Sequence, residues 1–184
     1  MVKLSIIVGS IGDNSLINQS EHFLINLIDK MNNDSLNISF TGEFHNSIDQ
    51  KNRLSIPAKY RKALSPVNDS TFVLTRGFDQ CLILYPLDEW KKVEEQLGSL
   101  SSIKSRHRNF VRSIVRCAIH VKYDSQGRIA IPENLLGYAK IDNNVAVIGM
   151  IKKIEIWSPG LLDKNNSNDL IDGDYEDLAK EINF

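Results

Sequence analysis

The chain has 184 residues, 42% of them hydrophobic, and a formal net charge of −1. That is enough apolar material for one compact unit with tails, and it excludes a low-complexity or strongly charged disordered chain. No apolar run is long enough to cross a bilayer as a helix. The two cysteines, Cys81 and Cys117, lack metal-type spacing and read as reduced core residues of a cytosolic protein rather than a disulfide framework.

Residues 1–39 match nothing later in the chain. Residues 4–8 form a short apolar run without a small-residue cleavage signature. Residues 20–31 have the spacing of an amphipathic helix. The segment reads as an extension of the folded unit. Met31 is an alternative translation start that mass spectrometry of the native N-terminus would identify.

Further along, the chain repeats itself. His45, Asp49, Arg53, Ile56 and Pro57 return as His120, Asp124, Arg128, Ile131 and Pro132 at a constant offset of 75. A second echo, Gly77 to Tyr85 against Gly149 to Trp157, has an offset of 72. The difference places three extra residues of the first copy within 65–71, against 140–143. One supersecondary unit present twice, each copy too small to bury its own core, implies two modules packed on each other.

Each copy opens with an extended run (44–48; 119–123) that meets an aspartate. A tight turn follows, in which the Asp49 or Asp124 carboxylate can accept backbone N–H groups two residues on. Just before the arginine stands Asn52 or Gly127, the two residue types that best hold a positive φ, so left-handed backbone is expected there. A second strand carries Arg53 or Arg128 and ends at proline, which suits the first turn of a helix. Short helices are expected at 58–64 and 133–139. A closing hairpin follows in each copy, 72–75 with 82–85 and 145–148 with 154–157, turning around Gly77 and Gly149. A β-rich, strand-swapped small barrel fits this order of elements.

Between the copies the pattern changes. Pro86 opens a helix with Asp88 and Glu89 in its first turn, and Leu87, Trp90, Val93, Leu97 and Leu100 form one apolar stripe. Ser102 is the expected N-cap of a second helix over 103–118, with Phe110, Val111, Ile114, Val115 and Ala118 on its apolar side.

The near-zero net charge conceals an asymmetry. Residues 161–184 carry seven acids and two bases, leaving twenty bases against sixteen acids elsewhere. Lys51, Arg53, Lys59, Arg61 and Lys62 face only Asp49 within 45–65, and 96–123 holds six cations and no acid. Local charge of this kind points to an anionic partner.

The segment Phe40-Thr-Gly-Glu-Phe-His45, the runs Asp49 to Pro57 and Asp124 to Pro132, Phe72-Val-Leu-Thr-Arg-Gly77 and Cys81 to Trp90 together resemble the MraZ family of AbrB-like (SpoVT-AbrB) bacterial transcription factors. The resemblance covers about residues 40–157. It implies an α+β, β-rich fold: two tandem AbrB-like swapped-hairpin modules forming a pseudo-dimeric small barrel, linked by a helical hairpin. The corresponding divisions are an extension (1–39), module 1 (44–90), a helical linker (91–118), module 2 (119–162) and an acidic tail (163–184). It further implies a ring-shaped homo-oligomer in the cytoplasm, associated with the nucleoid. That ring would bind double-stranded promoter DNA with repeated sites and repress the cell-division and cell-wall gene cluster, its own promoter included. The motif arginines that contact DNA fall on Arg53 and Arg128. The family's glycine before the first arginine is Asn52 here, which can hold the same backbone.

On this reading Lys51, Arg53, Lys59, Arg61, Lys62 and Arg128 face DNA, while Asp49, Asn52, Asp124 and Gly127 shape the turns. The plainer reading of each arginine is a salt bridge across its own turn, to Asp49 or Asp124. Both hold if the guanidinium keeps free donors. Module 2 has fewer flanking cations and reads as the more architectural half. The stripe Lys104, Arg108, Arg112, Arg116 reads as a solvated face or a match for a neighbouring subunit's acids. Trp90 and Trp157 read as core or subunit packing, and His45 and His120 as packing residues rather than metal ligands. No motif calls for an enzyme, a cofactor, a metal, a membrane or a small-molecule ligand. The alternative function is an AbrB-type oligomeric protein-binding module, like an antitoxin.

Overall fold

The computed structural model describes residues 39–169. The expected helix at 20–31, the alternative start at Met31 and the greater part of the acidic tail lie outside the described residues. Within them the chain is α+β and strand-rich. In order it forms β1 (Phe40–Ser47), β2 (Arg53–Ser55), α1 (Ala58–Ala63), β3 (Thr71–Arg76), β4 (Leu82–Pro86), α2 (Leu87–Gly98) and α3 (Ser105–Val115). There follow β5 (Ile119–Lys122), β6 (Arg128–Ala130), α4 (Glu133–Tyr138), β7 (Asn144–Ile151), β8 (Lys153–Trp157) and α5 (Pro159–Asp169).

Six strands make one antiparallel sheet in the order β1-β7-β8-β4-β3-β5, and β2 pairs with β6 in a separate ribbon. The pairings cross between the repeats. β1 runs along β7 from Phe40↔Ile151 to Ser47↔Asn144, β5 lies on β3, and β4 meets β8 in the middle. The core is shared accordingly. Leu54, Ile56, Leu74 and Leu84 of the first copy pack in one cluster with Ile129, Ile131, Val147 and Ile156 of the second, none more than 2% exposed. The main core is thus built by both copies together, as units too small to bury a core alone require.

The structure departs from the sequence expectation in three places. The second hairpin does not turn at Gly149, because β7 continues to Ile151 and the reversal falls on Ile151 and Lys152. Gly149 instead sits opposite Gly42 within the sheet, where a Cβ would lie 2.4 Å from the Phe40 carbonyl carbon. Its role is close approach of backbones, not reversal. Second, α3 begins after Lys104 rather than at 103, without a side-chain cap, and ends at Val115. Arg108 Nη1 donates to the carbonyls of Ser102 and Ile103, which holds those residues outside the helix. Third, His45 and His120 are exposed, with His45 beside Glu43 at 3.2 Å, so packing does not account for them.

The three extra residues of the first copy have a structural use. They form a 3-10 turn, Pro66–Asn68, and the buried Asn68 side chain reaches the helical hairpin. Its Oδ1 accepts the Asp88 N–H at 2.8 Å, capping α2. In that hairpin Trp90 is buried, but α3 buries no residue fully, and Phe110 and Val115 stay 41% and 48% exposed.

Candidate nucleic-acid interface

The ribbon β2–β6 brings the two repeats' arginines together, because Arg53 pairs with Ala130 and Ser55 with Arg128. Each arginine is fixed by its own turn. Asp49 Oδ1 accepts the backbone N–H groups of Lys51 and Arg53 at 2.9 and 3.0 Å, and Asp124 Oδ1 accepts those of Gln126 and Arg128, both at 2.9 Å. The second carboxylate oxygen takes the guanidinium. Arg53 Nε donates to Asp49 Oδ2 at 2.8 Å with Nη2 at 2.7 Å, and Arg128 Nε and Nη2 lie 3.0 and 2.8 Å from Asp124 Oδ2. The backbone permits this at Asn52 and Gly127, with φ of 56° and 77°.

The turns are also linked across the ribbon. Arg53 Nη1 stands 3.9 Å from Asp124 Oδ2, and Arg128 Nη1 stands 3.9 Å from Asp49 Oδ2. That spacing is a charge contact, too long for a hydrogen bond. Two positive and two negative groups thus form one closed square. Each carboxyl is held down at about 2: Asp49 chiefly by the Arg53 side-chain hydrogen bond, Asp124 chiefly by that of Arg128 and then by backbone N–H donors. The Asp49 hydrogen bond raises Arg53 in turn. The guanidinium groups are not sealed in: the side chains are 28% and 25% exposed, and each keeps an Nη1 outside the hydrogen-bonded pair.

The remaining candidates are arranged unequally. Lys51 is exposed at the first turn, where the second turn has Gln126. Lys62 is exposed on α1. Lys59 Nζ is drawn to β1, donating to the Thr41 carbonyl at 2.9 Å and to Thr41 Oγ1 at 3.1 Å. Arg61 is half-buried and donates from Nε to the Ile56 carbonyl at 3.1 Å, with its guanidinium against Gly127. Sequence reasoning missed the cross-ribbon square and the contact of Arg61 with the other repeat. The one available signal for the latter was the difference between Asn52 and Gly127. Among the described residues no cluster of three His, Cys, Asp or Glu side chains is placed to hold a metal, and no helix is long and apolar enough to cross a membrane.

Fold and site define a two-repeat, strand-rich α+β protein whose paired Asp–Arg turns meet on one ribbon. Comparison with known proteins agrees on the repeat and supplies the family. The MraZ protein family model, whose description likens its members to antitoxins, matches residues 39–113 and again residues 114–169. This chain belongs to the MraZ family. It is 41% identical over 143 residues to a protein named transcriptional regulator MraZ from Natranaerobius thermophilus, covering 78% of this chain and 96% of that relative. A namesake from Desulforamulus reducens is 40% identical over the same shares, and one from Halothermothrix orenii is 42% identical over 76% of this chain and 94% of its own length.

Proposed function

We propose that this protein is a sequence-specific DNA-binding transcriptional regulator that uses the β2–β6 ribbon as its reading head. The observation that carries the proposal is the pair of oriented, part-exposed guanidinium groups on one small surface, each with an Nη1 that makes only the 3.9 Å charge contact to the opposite carboxylate and so keeps its hydrogen-bond donors. An arginine aligned by a carboxylate offers its outer edge to guanine N7 and O6 in the major groove. Lys51, Lys59 and Lys62 beside it neutralise phosphates, with Arg61 at the edge of the same surface. The relatives' printed names agree with this reading.

The finer reading follows from it. The crossed pairings of β1, β5 and the ribbon support two swapped-hairpin modules closing a pseudo-dimeric barrel. A single such head binds weakly, so a ring-shaped homo-oligomer set against repeated sites multiplies modest affinities through effective concentration. The regulated genes are the cell-division and cell-wall cluster with its own promoter, the sign is repression, and the place is the nucleoid. No catalytic step, cofactor or small-molecule ligand enters.

The test is a mobility-shift titration on the DNA upstream of its own gene. Wild type is expected to bind with a log–log salt slope near −0.9 for each phosphate neutralised. Arg53→Ala and Arg128→Ala are expected to lose about 1–3 kcal/mol of discrimination each, with an intact fold by circular dichroism. Undiminished specific binding by both variants sinks the assignment. The second reading, an antitoxin-like module that holds a protein partner, is favoured by the family description and by the exposed Phe78 and Phe110. It predicts a stoichiometric partner on purification and no shift on any promoter fragment.

A further inference from the structure

We propose that Arg61 is a positioning residue of the first repeat that sets the backbone of the second repeat's turn, and through it Arg128. The proposal rests on the DNA-binding reading above only for its consequence in recognition; the contact itself is independent of it. Arg61 lies on α1, and its Nε donates to the Ile56 carbonyl at 3.1 Å. The N–H of the same Ile56 donates to the Gly127 carbonyl at 2.9 Å. The Ile56 residue therefore joins Arg61 to the turn from one side, while the guanidinium closes on it from the other. A Cβ built on Gly127 would lie 2.5 Å from Arg61 Nε and 2.6 Å from Cζ, so the guanidinium occupies the space a side chain would need.

The first repeat is built differently at the matching places. The position equivalent to Gly127 is Asn52, which keeps a Cβ at φ 56°, and the position equivalent to Arg61 is the buried Leu136. Glycine under arginine in one turn answers asparagine with leucine in the other. The two differences are physically coupled, since a residue larger than glycine at 127 displaces Arg61. Gly127 also carries φ 77° and donates its N–H to the Asp124 carbonyl at 2.8 Å. The next residue is Arg128, whose N–H and Nε both bind Asp124. Whatever fixes Gly127 fixes the base of that guanidinium. Arg61, with Nε bonded to the Ile56 carbonyl and its guanidinium beside Gly127, acts on recognition through the loop it covers.

The experiment uses the full chain with Arg61→Leu, Arg61→Lys and Gly127→Ala, and reads two quantities. The first is amide hydrogen exchange without DNA. Residues 125–128 are expected to exchange about fivefold faster in Arg61→Leu and Arg61→Lys while residues 50–53 are unchanged. The second is binding to the upstream DNA of its own gene. All three variants are expected to lose about tenfold in discrimination between the operator and single-base variants, with the salt slope of wild type. Arg61→Lys, which keeps the charge, is expected not to restore discrimination. The proposal is overturned by unchanged exchange at 125–128. It is equally overturned by a slope shallower by about 0.9, with discrimination intact and rescue by lysine, which marks a phosphate contact. A chain that binds no promoter DNA sinks the functional reading instead, and leaves the exchange result to decide the positioning role.

Discussion

Asp49 and Asp124 each hold a turn with one oxygen and a guanidinium with the other; the charge strengthens the first task and is required for the second. Protonation at Oδ2 would remove the charge that holds the arginine, while the Oδ1 carbonyl could still accept the backbone N–H groups more weakly. Their folded carboxyls titrate at about 2, below the ordinary 3.8. A depressed folded value means that the stabilisation is fully present above the unfolded value and is lost as pH falls through the folded one. The window therefore opens near pH 4 and closes near pH 2. Thermal melts between pH 5 and 2 should show wild type losing stability across that window, and the double variant Asp49→Asn, Asp124→Asn should be lower at pH 5 and flatter below it. Parallel curves for the two proteins would disprove the role of the pair. These turns were legible in the sequence because aspartate, a residue tolerant of positive φ and arginine recur at fixed offsets. The cross-ribbon contacts at 3.9 Å and the cover of Arg61 over Gly127 were not, since spacing along the chain says nothing about which atoms of the other repeat lie opposite.

At the scale of elements, the repeat made strand order readable while leaving partners open. Alternation marks which face of β1 is apolar but not that its partner is β7 rather than its own hairpin. Gly149 illustrates the ambiguity: glycine signals either a reversal or a close backbone approach, and only the register with Phe40 and Thr41 decides for the second. The insertion at 66–68 was visible as an offset change, and its purpose was not. Asn68 is fully buried, spends Nδ2 on the Ser65 carbonyl at 3.2 Å and gives Oδ1 to the first turn of α2. Replacing it removes a cap and leaves the Asp88 N–H without its acceptor. Asn68→Ala is expected to cost about 1–2 kcal/mol in chemical denaturation, with Asn68→Asp intermediate because it keeps the acceptor. An alanine variant as stable as wild type would show that the 3-10 turn does not anchor the helical hairpin.

For the whole molecule, the helical hairpin leaves one surface unfinished. Phe78 is 80% exposed and lies parallel to Phe110, with ring centroids 6.2 Å apart. Beside them a groove of about 320 Å³ runs between α2, α3 and the sheet, lined by Trp90, Val93, Leu97 and Leu100. Exposed aromatic rings gathered beside an apolar groove suit a contact with another macromolecule. In the proposed ring, the charge around it suits a second copy as the occupant. The first turn of α2 holds Asp88 and Glu89, the latter paired with Lys92 at 2.6 Å, and the exposed Glu94 and Glu95 further along leave the helix net acidic despite Lys91 and Lys92. The segment 96–123 holds six cations and no acid. A head-to-tail contact that sets the acidic helix of one copy against the basic helix of the next satisfies both, and such heterologous contacts close into rings when the rotation permits. In the ring proposed above, Phe110→Glu puts a charge in the middle of that contact while sparing the fold, because Phe110 is outside the core cluster. Light scattering on the eluting protein should give a multiple of the chain mass for wild type and a single-chain mass for Phe110→Glu. Promoter binding by the variant should fall much more than its thermal stability, since the heads no longer act together. A variant that keeps the wild-type mass would place the subunit contact elsewhere, and a wild type that is itself a single chain would remove the ring.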